Sequence, residues 1–172
     1  MLYLCILIFF VFFAGVAMTV QEGLWSNAIS LMSMIVCGPL AIAVGYPVGF
    51  MLLEKLEAAP EQSWFFVFGG VWLVFFLSIM VMRLLADRIS SRTRVKFIPP
   101  LEKAGGPLLG LVVAGLFASF LAFTLYTIPI AAGEWKIAEA SDWQKTTFQS
   151  GSAPFYAVVR SMAGADVANS HR

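Results

Sequence analysis

Four long apolar stretches constrain the fold of this chain more than any other feature of its sequence. They occupy residues 2–20, 28–53, 64–82 and 107–130. Each has about the 20 residues that a helix needs to cross the ~30 Å hydrocarbon core of a bilayer. The composition agrees, because 60% of the residues are apolar and only 12% are charged, whereas about 25% are charged in a typical soluble domain. These observations predict an all-α integral membrane protein with about four transmembrane helices, and they exclude an ordinary soluble enzyme.

The charged residues between these stretches predict the orientation of the chain. Six of its eleven Lys and Arg residues fall within positions 83–103, while residues 54–61 carry three Glu and one Lys. Because Lys and Arg in short loops are retained on the cytoplasmic side, we expect residues 83–103 to form a cytoplasmic loop. With four spans, both termini then lie outside the cytoplasm. The chain divides into a membrane domain, residues 1–131, and an extracytoplasmic tail, residues 132–172.

The basic loop is predicted to begin as a helical extension of the third span. Leu84, Leu85 and Ile89 fall on one side of a helix that runs to Arg92. Such a juxtamembrane helix can rest on anionic lipid headgroups, where each basic residue contributes about 1 kcal/mol. The alternative is that these charges only set the topology. The residues expected to contact lipid headgroups or a partner are Arg83, Arg88, Arg92, Arg94 and Lys96.

Small residues recur at four-residue steps in the second and fourth spans. Helices in a bilayer associate through close backbone approach, which small residues permit, since lipid tails are as apolar as the helices themselves. The pattern therefore predicts that the second and fourth spans form the closest helix contact, within one chain or between copies. The predicted packing residues are Ala41, Gly45 and Gly49 in the second span and Gly106, Gly110, Ala114 and Ala118 in the fourth.

Proline and phenylalanine add two expectations about the spans. Pro39 and Pro47 each remove a backbone hydrogen bond and clash with the preceding turn, so we expect the second span to be kinked. Phenylalanines are spread around the first and third spans, which indicates bulk that faces lipid, as at Phe75.

The residues after the fourth span form a more polar tail. Ser150–Pro154 is typical of a turn, and Phe155–Met162 is an apolar stretch long enough for two helical turns. Trp135 and Trp143 suit the headgroup level, where an indole ring keeps one face apolar and its N–H hydrated. We expect a short C-terminal amphipathic segment on the outer surface of the membrane rather than a fifth span.

The sequence lacks the patterns that bind metals, cofactors or nucleic acids. His171 is the single histidine, and no cluster of His, Cys, Asp or Glu surrounds it, as a metal site would require. Cys5 and Cys37 lie within apolar stretches and are expected to serve packing. The net charge of +1 provides no basic field for nucleic acid. We therefore expect no bound cofactor or metal, no nucleic-acid partner and no enzymatic activity.

Four segments occur in an order that is found in a known family. Gly15 and Gly23 stand eight residues apart, Met82–Leu85 precedes the basic helix, Pro100–Gly115 forms a glycine-rich entry to the last span, and Ser152–Pro154 closes the segment after it. In these features the chain resembles the bacterial colicin V production protein (CvpA) family over most of its length. Members of that family are small inner-membrane proteins with about four spans.

The resemblance implies a bacterial inner-membrane protein linked to toxin production and export, with Gly15, Gly23, Gly106 and Gly110 as packing positions. It favours a non-enzymatic accessory or scaffold protein that supports secretion or envelope function. Its partners would be the lipid bilayer and other membrane subunits or further copies of itself. Two alternatives stay open: a small structural subunit of a larger respiratory or photosynthetic complex, and an oligomeric channel or transporter. Identification of the chains and pigments that co-purify from native membranes would separate the three.

Overall fold

The computed structural model describes residues 2–57, 62–90, 99–127 and 142–168. They form five helices: α1 (Leu2–Thr19), α2 (Leu24–Lys55), α3 (Ser63–Ser90), α4 (Pro99–Thr127) and α5 (Asp142–Ala168). No strand occurs in the described ranges. The predicted all-α fold is confirmed.

Three of these helices are long and apolar enough to cross a membrane. They are α2 over its whole length, the Ser63–Arg88 part of α3 and the Glu102–Leu125 part of α4. The apolar part of α1, Tyr3–Thr19, is shorter; its length is about 26 Å at ~1.5 Å per residue, against a hydrocarbon core of ~30 Å. The structure therefore supports a membrane protein with three candidate spans, and a fourth span at α1 stays a prediction.

Both prolines of the second span lie inside one continuous helix. α2 runs unbroken from Leu24 to Lys55 through Pro39 and Pro47, so the predicted kink stays a prediction. Beyond its end, Glu57 adopts a φ of 48°, the left-handed conformation that is common just after a helix C-terminus.

The helices associate as two antiparallel pairs. α1 packs along α4, and α2 packs along α3. A further contact between α2 and α4 joins the pairs, and α5 packs against α4. The main core lies where α2, α3, α4 and α5 meet. Its buried members are Met34, Cys37, Ala41, Val67, Val71, Phe75, Leu116, Phe120 and Phe155.

Phe75 lies in this core, so the prediction that it faces lipid is wrong. Its side chain is completely buried, and its ring stacks on Phe120 with the centroids 4.3 Å apart. Because α3 is apolar on every side, its hydrophobic pattern does not show which face meets the neighbouring helices. Phe65 and Phe76 of the same helix, at 60% and 55% exposed, do face outward.

The third span continues past its apolar stretch, as the sequence predicted. α3 ends at Ser90, and Arg83 and Arg88 are exposed on its last two turns. Three of the residues expected to contact headgroups lie outside the described residues: Arg92, Arg94 and Lys96.

The tail contains a longer helix than the sequence predicted. α5 has 27 residues and passes through Ser150–Pro154 as helix, so the predicted turn is wrong, and the helical turns predicted at Phe155–Met162 are part of this longer helix. Phe148 and Phe155 flank that segment and are each 1% exposed. Seven residues apart, they lie on one face of a helix, and this face docks as a unit on the bundle. Trp143 is exposed near the start of α5, and Trp135 lies outside the described residues.

Candidate functional site

The small-residue face of α2 is directed at α3. A Cβ atom added at Gly49 would lie 2.5 Å from the Cα of Val67. Gly70 of α3 completes the contact, since its Cβ would lie 2.8 Å from both the Gly45 carbonyl oxygen and the Gly49 nitrogen. Ala41, further along α2, is completely buried. Within the chain, the closest contact of α2 is therefore with α3 and not, as predicted, with the fourth span. The predicted contact between copies stays a prediction.

The small-residue face of α4 is directed at α1 and at residues 20–23, which form the α1–α2 turn. A Cβ at Gly110 would lie 2.9 Å from the carbonyl carbon of Thr19, and one at Gly15 would lie 3.2 Å from the Cβ of Ala114. A Cβ at Gly106 would lie 3.0 Å from a carbonyl oxygen of the α1–α2 turn. The predicted packing residues of α4 are all buried: Gly106, Gly110, Ala114 and Ala118.

Sequence reasoning identified both faces but passed over Gly70, the counterpart on α3 of the α2 face. Gly70 follows Gly69 among Phe and Trp residues and belongs to no four-residue repeat on its own helix. A signal was nevertheless present. Glycine in a helix interior is less favourable than alanine by about 0.8–1.0 kcal/mol, so a glycine inside an apolar span calls for a packing reason.

A buried amide ties the α1–α2 turn to α4. Asn27 is completely buried, and its Nδ2 donates hydrogen bonds to the carbonyl oxygens of Thr19 at 2.8 Å and Gly106 at 2.9 Å. The Thr19 hydroxyl in turn donates to the Gly110 carbonyl oxygen at 2.9 Å. Side chains from α1 and α2 thus engage two backbone carbonyls of α4. Sequence reasoning missed Asn27, which directly precedes the second apolar stretch, although a buried amide needs hydrogen-bond partners.

A cleft of about 250 Å³ lies beside the α1–α2 turn, between α1 and α3. We call it the α1–α3 cleft. Residues of α2 and α4 form its floor, because these helices join the two pairs. Its lining includes Met34, Ile79, Val113 and Phe117 toward the middle of the bundle, and Glu22, Ser26, Arg83 and Asp87 at its mouth, with Ser30 one turn below the mouth.

The mouth of the α1–α3 cleft carries charges of both signs. Arg83 Nη2 lies 3.5 Å from Glu22 Oε1, with the two side chains 59% and 30% exposed. The Ser26 hydroxyl donates to the other carboxylate oxygen, Glu22 Oε2, at 2.8 Å. Asp87 follows Arg83 by one turn of α3 and lines the same cleft. Among the described residues that line the mouth, one cation therefore accompanies two carboxylates, while Arg88 is exposed at the end of α3.

Potential metal ligands are not clustered in the part of the chain that the structure describes. The thiols of Cys5 and Cys37 are free, Cys37 in the core and Cys5 half-buried on α1. His171 lies outside the described residues. The expectation that the chain itself holds no metal or cofactor stays a prediction.

Comparison with known proteins yields one match. A family model described as colicin V production protein matches residues 4–153. This range covers α1 to α4 and ends within α5. No curated protein and no solved structure matches the chain.

Proposed function

This chain belongs to the colicin V production protein family, and we propose that it is a non-enzymatic accessory or scaffold protein of the bacterial inner membrane. In this role the chain assembles with other membrane-embedded chains. The observation that carries the proposal is the position of α5. This helix is not among those apolar enough to cross a membrane by themselves, yet it packs at the depth of the apolar segment of α4.

Contacts with α4 establish the level of α5. The Phe155 N–H donates to the Ser119 hydroxyl at 2.9 Å, and the Phe155 ring lies 4.9 Å from that of Phe120. A Cβ at Gly151 would lie 3.6 Å from that of Ala122. All three α4 residues belong to the apolar segment of that helix. Gly151 neighbours Ala122, and Phe155 neighbours Ser119. Residue numbers therefore rise along α5 where they fall along α4, so the two helices run antiparallel.

The outward face of α5 is polar at this depth. Gln149, Tyr156 and Arg160 follow at intervals of seven and four residues, which places them on one side of the helix, and all three are exposed. Arg160 lies five residues past Phe155, about 7.5 Å further along α5, toward the middle of the α4 apolar segment. An arginine at the centre of a spanning helix costs about 2.5–3.5 kcal/mol on insertion scales. Such a face favours cover by a partner chain over contact with lipid.

The same polar face favours one second candidate, an oligomeric channel. Copies of the chain that assemble with their α5 helices inward would enclose a path lined by Gln149, Tyr156 and Arg160. Arg160 would then face water, where its charge carries no such cost.

Site-specific photo-crosslinking in native membranes tests the proposal. A benzophenone amino acid placed at Ala153, which lies on the polar face between Gln149 and Tyr156, is expected to give a protein adduct of defined mass. The matched control places the same group at Leu77 of α3, which is 51% exposed in an apolar setting, and is expected to give none. If positions on the polar face give no protein adduct, the assembly proposal is wrong.

A second measurement separates the accessory protein from the channel. Mass spectrometry identifies the adduct from Ala153, and a cysteine at the same position in a cysteine-free chain reports access to water. An adduct with another membrane protein, without labelling by a membrane-impermeant thiosulfonate, supports the accessory role. An adduct of the chain with itself, together with labelling, supports the channel.

A further inference from the structure

We infer that the α1–α3 cleft binds one phospholipid whose headgroup carries a primary ammonium group. The inference rests on the cleft alone and does not depend on α5 or on the proposed assembly. Three observations carry it: the side from which the cleft is open, the order of its lining residues, and the signs of the charges at its mouth.

The helix pairing leaves the cleft open toward the bilayer. α1 is held by α4 and α3 is held by α2, so α1 and α3 stand apart above the floor. At the far end of the bundle, Leu4 of α1 belongs to a cluster that Phe68 and Trp72 of α3 also reach, which closes the gap there. Beside the α1–α2 turn the two rims carry exposed residues, Met18 on α1 and Arg83 on α3. A lipid molecule can therefore enter the cleft sideways from the membrane.

The lining changes from apolar to charged along the helices. Ile79, Val113 and Phe117 surround the part that lies toward the middle of the bundle, where an acyl chain finds apolar contacts. The hydroxyl of Ser30 lies one turn closer to the middle along α2 than that of Ser26, so hydroxyl groups line the zone below the charged mouth. This order matches a phospholipid, with its chain in the bundle and its headgroup at the α1–α2 turn. A water-soluble solute would leave the apolar part without a partner.

The charges at the mouth select the headgroup. The Arg83 guanidinium suits a phosphate, and the carboxylates of Glu22 and Asp87 suit an ammonium group that donates hydrogen bonds. An ethanolamine phospholipid supplies both groups, whereas an anionic glycerol phospholipid supplies no cation and a choline headgroup has no N–H to donate. The exposed contact between Glu22 and Arg83, at 3.5 Å, contributes little by itself. The headgroup can therefore insert between these two side chains.

Native mass spectrometry of the purified full chain with defined lipids tests the inference. The probes are phosphatidylethanolamine, phosphatidylglycerol and phosphatidylcholine with identical acyl chains. We expect one phosphatidylethanolamine per chain, bound with a Kd about tenfold lower than that of either other lipid, which corresponds to about 1.4 kcal/mol. Equal affinities for phosphatidylethanolamine and phosphatidylglycerol would overturn the inference. Equal binding of water-soluble phosphoethanolamine would also overturn it, because the acyl chain would then contribute nothing.

Charge variants at the mouth locate the binding to this cleft. The double variant Glu22→Gln, Asp87→Asn is expected to lose the preference for phosphatidylethanolamine over phosphatidylglycerol, since no carboxylate remains to accept from the ammonium group. Arg83→Gln is expected to weaken phosphatidylethanolamine binding about tenfold. The control Glu54→Gln, at the exposed far end of α2, should leave every affinity unchanged. A preference that survives in the double variant places the lipid elsewhere and contradicts the inference.

A variant that fills the α1–α3 cleft tests lipid binding independently of the charges at its mouth. Ser30 lines the cleft and is only partly buried, so Ser30→Phe is expected to occupy the space of the acyl chain and to abolish lipid binding. Its thermal unfolding midpoint establishes that the variant is folded. If a folded Ser30→Phe chain binds phosphatidylethanolamine as the unmodified chain does, the inference is wrong. If this variant does not fold, the double charge variant decides the question.

Discussion

Two adjacent glycines of α3 face different surroundings and provide a matched test of helix packing. A Cβ at Gly69 would meet nothing within 4 Å, whereas one at Gly70 would lie 2.8 Å from the Gly45 carbonyl oxygen and the Gly49 nitrogen. Because these are backbone atoms, no side-chain rotation relieves the contact in Gly70→Ala. Ordinary van der Waals contact begins at 3.4 Å, so α2 and α3 must separate by about 0.6 Å (3.4 − 2.8).

The energetic difference between the two substitutions isolates the packing penalty. Each replacement of glycine by alanine in a helix interior gains about 0.8–1.0 kcal/mol of helix propensity, and this gain is common to both variants. Gly69→Ala is therefore expected to leave the free energy of unfolding unchanged or to raise it by up to about 1 kcal/mol. Gly70→Ala carries in addition an overpacking penalty of about 1–3 kcal/mol. We expect Gly70→Ala to be less stable than Gly69→Ala by that penalty.

Reversible unfolding of the purified chain in mixed micelles, titrated with a denaturing detergent, measures this difference. The unmodified chain and both variants are compared under identical micelle composition. Equal unfolding free energies for Gly69→Ala and Gly70→Ala would refute the reasoning, because the added methyl group at Gly70 would then cause no loss of stability at the α2–α3 contact.

Phe75→Ala is expected to lower the unfolding free energy by about 3–5 kcal/mol, whereas Phe76→Ala, at an exposed position, should change it far less. Equal losses would contradict the burial of Phe75. Asn27→Ala should cost about 1–3 kcal/mol because buried carbonyl groups lose their donor, and an unchanged value in the same titration would contradict that role. In an otherwise cysteine-free chain, cysteine at Ser90 should resist a membrane-impermeant maleimide in intact cells, while cysteine at Trp143 should react. The reverse pattern would overturn the predicted orientation.

The positions of α2 and α3 were predictable here because apolar runs and their ends are local signals. The second apolar stretch, residues 28–53, became Leu24–Lys55, and the extension of α3 to Ser90 followed from its leucine spacing. Helix pairing was not predictable in the same way. A face of small residues predicts that another helix approaches closely. Which helix approaches depends on a complementary residue such as Gly70, which belongs to no repeat on α3.

The candidate site was hidden because its residues are distant in sequence. Glu22 and Arg83 are 61 positions apart, and each by itself is typical of a short charged loop.

The length of α5 was not predictable for a different reason. Its polar residues indicate an exposed tail, while the face that docks consists of few large residues, Phe148 and Phe155. Those two phenylalanines keep helical spacing across Ser150–Pro154, and their burial outweighs the turn preference of that segment.

The glycine contacts also determine where both proposed surfaces lie. Because α2 directs its small residues at α3, and α4 directs its own at α1, the remaining faces of α1 and α3 stay apart beside the α1–α2 turn, and the α1–α3 cleft forms between them there. α4 keeps a second face, at Ser119 and Ala122, on which α5 docks with its polar side outward. Gly70 lies outside the cleft lining, yet Gly70→Ala should displace α3 relative to α2 and so change phosphatidylethanolamine affinity. Gly69→Ala should leave that affinity unchanged. An effect of Gly70→Ala on stability without any effect on lipid affinity would show that the width of the cleft does not depend on the α2–α3 contact.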